Sequence, residues 1–290
     1  TGLEDDDATS TPQDDDTTSP DDDDSTPGDD DSGSDDDSAG DDDDSAGDDD
    51  DSAACDFTCG TIHQPQDGYD TDPPTIAACT EEGVGADPDP VRVRASYHDD
   101  PSTSLAVQWE TDAGTTAGDI DWGTVYPGDH RRIASTFVLG PEGGTQTRVH
   151  EARLCGLDPG VPIRYRVGID GAFSETYSYT PPDPSLEMLT FLAGGDSRNG
   201  CDTLADLVAL AMPYGPELMI HTGDMVNSGS SISDWTDYYD AVPEFATMPV
   251  VSIHGNHENQ TDEFFGMVAS PGNEEWFSVD VGPMHLAVLN

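Results

Sequence analysis

The sequence predicts a multidomain chain: a disordered Asp-rich tail, an all-β sandwich, and a layered α/β domain whose sheets are flanked by helices. Three observations carry this reading. Composition breaks sharply near residue 54, short alternating runs fill residues 89–183, and from residue 184 strand-like runs alternate with helical ones.

Residues 1–54 repeat units such as DDDDSAG, with no aromatic and almost no aliphatic side chains. Nothing there buries enough surface to offset the entropy of ordering, so a self-repelling, extended spacer is expected. The formal net charge is −53, and 25 of the 62 acidic residues fall in the first 51 positions. The other 37 acids still outnumber nine bases, all Arg, so the foldable part also repels phosphate backbones and anionic membranes. Nucleic acid is thereby excluded as a partner. The repeats lack the glycine turn and closing Glu of an EF-hand loop, so the tail is expected to attract calcium only weakly. No apolar run nears the ~20 residues of a membrane span. Such a stalk suits an extracellular or cell-surface protein, and a lipid anchor upstream of Thr1 is the corresponding expectation.

Residues 55–88 form a Pro- and Gly-rich linker holding Cys55, Cys59 and Cys79. A stretch too small to bury a core suits disulfide stapling. A zinc site of Cys55, Cys59, Cys79 and His63 is the competing reading. With Cys155 and Cys201 the count is five, so at least one thiol lacks a partner within the chain.

Within residues 89–183, Leu105, Val107 and Trp109 alternate with Ala106, Gln108 and Glu110, and Ile163, Tyr165 and Val167 with Arg164 and Arg166. This period of two, broken by Gly, Pro and Asp, predicts antiparallel strands of a sandwich. The stretch HEARLCGLDPGVPIRYRVG reads as strand, turn, strand. It resembles a hairpin of fibronectin type III domains and, more closely, the sandwich that precedes the catalytic domain in purple acid phosphatases. The resemblance implies a spacer or interaction module, to which no chemistry is assigned.

Residues 184–290 read as strand (Met188–Ala193), helix (Leu204, Leu207, Val208 and Ala211, with Asp202 and Thr203 as caps), and strand (Glu217–Thr222). A second helix follows (Trp235, Tyr238, Tyr239 and Val242, capped by Ser233), then a strand (Pro249–His254) and a hairpin about Gly282 and Pro283.

Each of the three strands runs into a polar motif: GGDSRNG at Asp196, HTGDMVN at Asp224, and HGNHE at Asn256 and His257. In open α/β sheets ligands bind at the carboxyl ends of strands. Glycine lets the backbone turn there, and short Asp and Asn oxygens suit Mg, Mn, Fe or Zn ions. One such motif alone is often only a turn, whereas the ordered set is specific. The set resembles the metallophosphoesterase superfamily, and the preceding sandwich narrows the likeness to purple acid phosphatases. The resemblance implies a dinuclear centre of two divalent or trivalent ions that hydrolyses phosphate esters. Asp196 would bind the first ion, Asp224 bridge both, and Asn256 bind the second. His257 would face the substrate as proton donor or charge stabiliser, with Glu258 orienting it.

Two positions depart from the family pattern. Asn227 stands where purple acid phosphatases carry a tyrosine, so no tyrosinate colour is expected. Arg198 stands where many superfamily members carry a histidine, and it suits either a phosphate contact or a surface ion pair. The family's later histidines, including a Gly-His-x-His motif, would lie past Asn290, so the domain reads as C-terminally truncated and inactive alone. His221 and His254 occupy strand positions that favour packing, His285 reads as structural, and Tyr238 and Tyr239 as helix core. The alternative function is a catalytically degenerate extracellular binding or adhesion protein.

Overall fold

A computed structural model describes residues 83–289. The expected tail, its calcium affinity, and Cys55, Cys59, Cys79 and His63 lie outside them. Antiparallel strands β1 (Val91–Ser96), β2 (Leu105–Thr111), β5 (Ser135–Leu139) and β6 (Thr147–Leu154) form one sheet in the order β1-β2-β6-β5. A second sheet runs β4-β3-β7-β8 from β3 (Asp119–Gly123), β4 (His130–Ile133), β7 (Ile163–Ile169) and β8 (Ala172–Phe173), with β9 (Tyr177–Tyr179) also on β7. Leu105, Trp109, Ile120, Leu154 and Tyr165 fill the space between the sheets without exposure. Each such aliphatic side chain is worth roughly 1.5–3 kcal/mol of burial.

The rest of the described chain is a layered α/β arrangement. Strands β10 (Phe191–Gly194), β11 (Leu218–His221) and β12 (Val250–Ser252) pair in parallel in that order. Helices α1 (Cys201–Ala211) and α2 (Ile232–Ala241) make the connections, as parallel pairing requires. A short helix, α3 (Asp262–Met267), then leads to the antiparallel hairpin β13 (Phe277–Val281) and β14 (Met284–Val288).

Several local expectations are corrected. The α1 N-cap is Gly200, with no side-chain cap, so Asp202 and Thr203 lie inside the helix, where Asp202 favours the dipole of the first turn. The α2 cap is Ser231 rather than Ser233; its hydroxyl accepts from the Asp234 N–H at 3.3 Å. Of the apolar residues of α1, Leu204 and Val208 are buried, whereas Leu207 and Leu210 are 54% and 70% exposed. They border a cavity of about 580 Å³ between β10 and α1. Helix α3, six residues long and capped by Thr261, is too short for periodicity to reveal. Cys155 is disulfide-bonded and Cys201 is a free thiol.

The alternation of β2 sets Ala106, Gln108 and Glu110 on one face, and that face is covered too: all seven residues are buried. The polar face meets α2 and α3. Arg94 Nε donates to the Met267 carbonyl at 3.0 Å, and its Nη1 donates to Glu110 Oε1 at 3.1 Å. Its guanidinium lies 4.0 Å from the centre of the Tyr239 ring. Gln108 Nε2 donates to Glu151 Oε2 at 2.9 Å and contacts the Gly266 carbonyl at 3.3 Å. Tyr165 Oη donates to the Ala246 carbonyl across the same junction. Apolar packing also crosses it: Phe137, Leu139 and Val149 of the sandwich share one core with Trp235, Tyr239, Phe264 and Met267. The sandwich is therefore a wall of the α/β domain.

Two outcomes are expected. Arg94→Met should lower unfolding free energy by about 1–3 kcal/mol, because it leaves the Met267 carbonyl without its donor and buried Glu110 with Arg92 as its remaining cation, and combining it with Glu110→Leu should show a coupling of about 0.5–3 kcal/mol between the two sites. Urea denaturation of the single and double variants checks this. Burial, reinforced by the Arg153 charge, pushes His98 down to about 4, and burial with the Arg148 charge pushes His150 down to about 3. Both stay neutral in the fold, while in the unfolded chain they protonate near 6.5. Their contribution is present above pH 6.5 and is lost as pH falls towards the folded values. Stability should drop between pH 6.5 and 5 by up to about 1.4 kcal/mol per pH unit for each histidine. In His150→Gln the slope should shrink by about one proton; an unchanged slope contradicts the assignment.

Candidate functional site

The carboxyl ends of β10, β11 and β12 lie side by side, and their loops are stitched together by backbone hydrogen bonds. Asp196 N donates to the Gly223 carbonyl at 2.9 Å, Arg198 N to the Asp224 carbonyl at 3.1 Å, and Gly229 N to the His257 carbonyl at 2.9 Å. The approach is close enough to require glycine. A Cβ on Gly255 would stand 2.3 Å from Asp224 N and 2.4 Å from its Oδ1, and one on Gly223, at φ +95°, would stand 2.9 Å from Gly255 Cα.

Asp196 and Asp224 both adopt left-handed backbone, with φ 58° and 54°, and Arg198 does so at 41°. Such a conformation costs a non-glycine residue on the order of 1–3 kcal/mol and persists only where surrounding bonds impose it. For Asp224 the imposing group is Glu258. Its fully buried carboxylate accepts four backbone N–H bonds, from Asp224 at 3.0 Å, Met225 at 2.8 Å, Val226 at 3.2 Å and Gly255 at 2.9 Å. Glu258 was expected to orient His257. Instead it folds the Asp224 loop around itself and ties it to the Gly255 loop.

Asp224 is the best-defined of the predicted residues. Oδ1 accepts from His257 N–H at 3.1 Å, and Oδ2 accepts from Arg198 Nη2 at 2.9 Å. Desolvation opposes its ionisation, but these two bonds prevail and hold the carboxyl below its ordinary range. Asp196 is more open, with 69% of its side chain exposed, and Arg198 Nε lies 2.5 Å from its Oδ1. That last contact is a charge pair whose N–H direction misses the oxygen. Arg198 thus stands between the two carboxylates. Asn256 is exposed at the rim, one residue before the His257 N–H that touches Asp224.

His257 has one ring nitrogen engaged: Nδ1 donates to the Asn227 carbonyl at 2.7 Å. That bond fixes the tautomer in the neutral ring, leaving Nε2 to exchange a proton. His221 is packed, as its strand position suggests. It lies edge-on to Tyr238, and burial pushes it down to about 4. Its Nε2 donates at 3.0 Å to the Ser197 hydroxyl, which donates in turn to the Met225 carbonyl at 3.0 Å. Ser197, between Asp196 and Arg198, was not singled out from sequence; a hydroxyl in a Gly-Asp-Ser turn carries no signal that separates this role from turn formation. His254 is half-buried and its Nε2 accepts from Gln260 N–H at 2.8 Å, while His285 pairs with Asp280 at the surface. Tyr238 and Tyr239 are helix core.

The donor set fits a hard or borderline cation in part. Asp196 and Asp224 already share a cation, the guanidinium, and Asn256 adds a neutral oxygen nearby in sequence. Among the described residues no cluster of three or more His, Cys, Asp and Glu side chains suited to a metal is present. Three oxygens begin one coordination sphere of about four to six ligands and cannot fill two. No helix among the described residues is long and apolar enough to cross a membrane.

Fold and site together define a class: a β-sandwich fused to a parallel-stranded α/β domain with Asp and Asn side chains at its strand ends. Residues 90–180 match the purple acid phosphatase N-terminal domain, and residues 189–284 match the calcineurin-like phosphoesterase domain. The chain therefore joins a purple acid phosphatase N-terminal domain to a calcineurin-like phosphoesterase domain, in that order. Among solved structures it is similar to a purple acid phosphatase isolated from yellow lupin (Lupinus luteus) seeds, with a TM-score of 0.59 and 16% identity. That alignment covers 69% of this chain and 44% of the lupin protein. A structure of PhoD aligns at TM-score 0.45 and 12% identity, over 69% of this chain and 52% of that one. No curated protein is significantly similar to the chain.

Glu258→Gln should show that the Asp224 loop is held by a carboxylate rather than by shape. An amide offers one acceptor oxygen and turns an NH₂ group towards N–H donors, leaving some of them unpaired at about 1–3 kcal/mol each. We expect lower thermal stability and, by amide hydrogen exchange, loss of protection at Asp224, Met225 and Val226. Unchanged protection there would contradict the clamp.

Proposed function

We propose that the chain belongs to an extracellular phosphoester hydrolase and supplies the first half of a dinuclear metal centre. The observation that supports this best is the convergence of Asp196, Asp224 and the Asn256–His257 pair at three adjacent parallel strand ends, with the two carboxylates already clasping one cation. Asp196 would hold the first ion, Asp224 would be shared between the two and Asn256 would hold the second; Fe, Mn, Zn and Mg all suit these donors. When bound, the metals supply charge neutralisation at the phosphoryl group and activate water for in-line attack. The remaining ligands come from outside the described residues.

The protein's own groups then divide the work. His257, held at Nδ1 by the Asn227 carbonyl, presents Nε2 to the departing ester oxygen and gives it a proton as the P–O bond breaks. Arg198 offers a planar fork of donors to a non-bridging phosphoryl oxygen. Glu258 keeps Asp224 in its left-handed turn, and Ser197 and His221 brace the Asp196 turn from beneath. The fibronectin III-like sandwich serves as a structural wall for this domain rather than as a site. Substrates are phosphate monoesters or diesters, nucleotides and phospholipid headgroups included. With Asn227 in place of the family tyrosine, the loaded protein should lack the tyrosinate colour.

The 290-residue chain should hold fewer than two metals and should not turn over aryl phosphates. Elemental analysis of the purified monomer with an aryl phosphate assay checks this; two tightly held metals with metal-dependent turnover would mean the ligands are misassigned. In a chain extended through a full ligand set, Asp224→Ala should remove metal and activity together. There, His257→Ala should keep the metals and lower kcat by about 10²–10⁴, less for aryl than for alkyl phosphates, because good leaving groups need little protonation. A binding or adhesion protein would instead hold phosphate esters without turnover even when extended.

A further inference from the structure

Asp224 has one oxygen committed and one available. Oδ1 is held by the His257 N–H at 3.1 Å, so Oδ2 is the oxygen that faces a cation, and Arg198 Nη2 occupies it at 2.9 Å. Its Nε sits against Asp196 Oδ1 at 2.5 Å. The backbone beneath is fixed: Arg198 N donates to the Asp224 carbonyl at 3.1 Å. The side chain is freer, being 40% exposed. A divalent ion bound to the same two oxygens would lie within a few ångströms of the guanidinium, where like charges repel and the two compete for the same lone pairs.

We propose that Arg198 is a resident counterion of this carboxylate pair, displaced when a metal ion binds, and that displacement delivers its guanidinium to phosphate. The inference rests on the reading of Asp196 and Asp224 as metal ligands. In the metal-free protein one positive charge offsets one of two negative charges and holds both carboxylates at the site despite their strained turns. Metal entry removes that role. The guanidinium, tethered at the mouth with its five donors free, then meets the anion bound to the metal side. Metal and phosphate affinities are coupled through one side chain, and the coupling is reciprocal.

Isothermal titration with Mn²⁺ alone, and with Mn²⁺ in the presence of inorganic phosphate, tests this on the full chain. Removing one like charge from a partly exposed site should tighten Mn²⁺ binding about tenfold or more in Arg198→Gln, while Arg198→Lys, which keeps the charge, should stay near wild type. Phosphate should tighten Mn²⁺ binding in wild type and do so less in Arg198→Gln. Thermal melts of both variants confirm folding. Unchanged or weaker Mn²⁺ affinity in Arg198→Gln overturns the counterion, as does no binding in either protein. Phosphate without effect on wild type overturns the coupling. Asp224→Ala separates the two levels. If it binds Mn²⁺ as well as wild type, the ligand reading falls and takes the inference with it; if it loses binding while Arg198→Gln stays at wild-type affinity, only the inference falls.

Discussion

The site depends on one buried carboxylate. Glu258 is fully buried, and backbone N–H groups of two different loops converge on it. A charge in that position is tolerated only when well-aligned donors surround it, and those donors exist only if the Asp224 loop takes its left-handed turn and Gly255 comes within contact of it. The cost of the turn and the cost of burying the charge therefore offset one another. Once the turn is set, the rest follows by short bonds: Asp224 Oδ1 receives the His257 N–H, its carbonyl receives the Arg198 N–H, and its Oδ2 faces the guanidinium. The groups that would touch metal or substrate lie near the rim, and the group that arranges them lies beneath.

A second constraint joins the two halves of the fold. Arg94, Gln108, Glu110 and Glu151 form a buried polar seam on one face of the sandwich, and carbonyls of α3 complete it. Such a seam contributes little net stability over an apolar one, but it admits few alternative alignments, because any slip leaves charges unpaired. That property suits a wall that must present β12 and the HGNHE loop in register with their neighbours. It also explains why β2 is buried on both faces although its sequence alternates.

The proposed function sets an acidic protein to handle an anion. With 37 acids against nine arginines beyond the first 51 positions, the approach of a phosphate ester is opposed at long range. Local positive charge must overcome this. Most described arginines are tied up elsewhere, Arg131 and Arg166 on Asp121 and Arg94 and Arg153 in the seam. Arg198 is the cation at the three loops, and it faces inward on carboxylates. On the proposed reading, metal binding would both neutralise the site and turn that charge outward.

Much was legible in the sequence. Period-two runs gave the sandwich strands, the strand–helix alternation gave three parallel strands, and the Gly-Asp, Gly-Asp, Gly-Asn-His order placed Asp196, Asp224 and His257 together, because these signals are local and the strand ends of such a sheet are adjacent by topology. Other features were not. Alternation cannot say whether the polar face of β2 meets water or another domain, and helical spacing cannot say that Leu207 and Leu210 stay exposed while Leu204 is covered. Glu258 next to His257 suggested a bond between neighbours, whereas three of its four partners are more than 30 residues away and were brought there by folding. The sequence by itself determined which residue types stand at the strand ends, since backbone geometry and ligand chemistry constrain them locally. Only the tertiary structure decided which oxygen of Asp224 meets a cation, which cation that is and which buried charge holds the turn, because each is a contact between segments whose separation in the chain carries no record of their meeting.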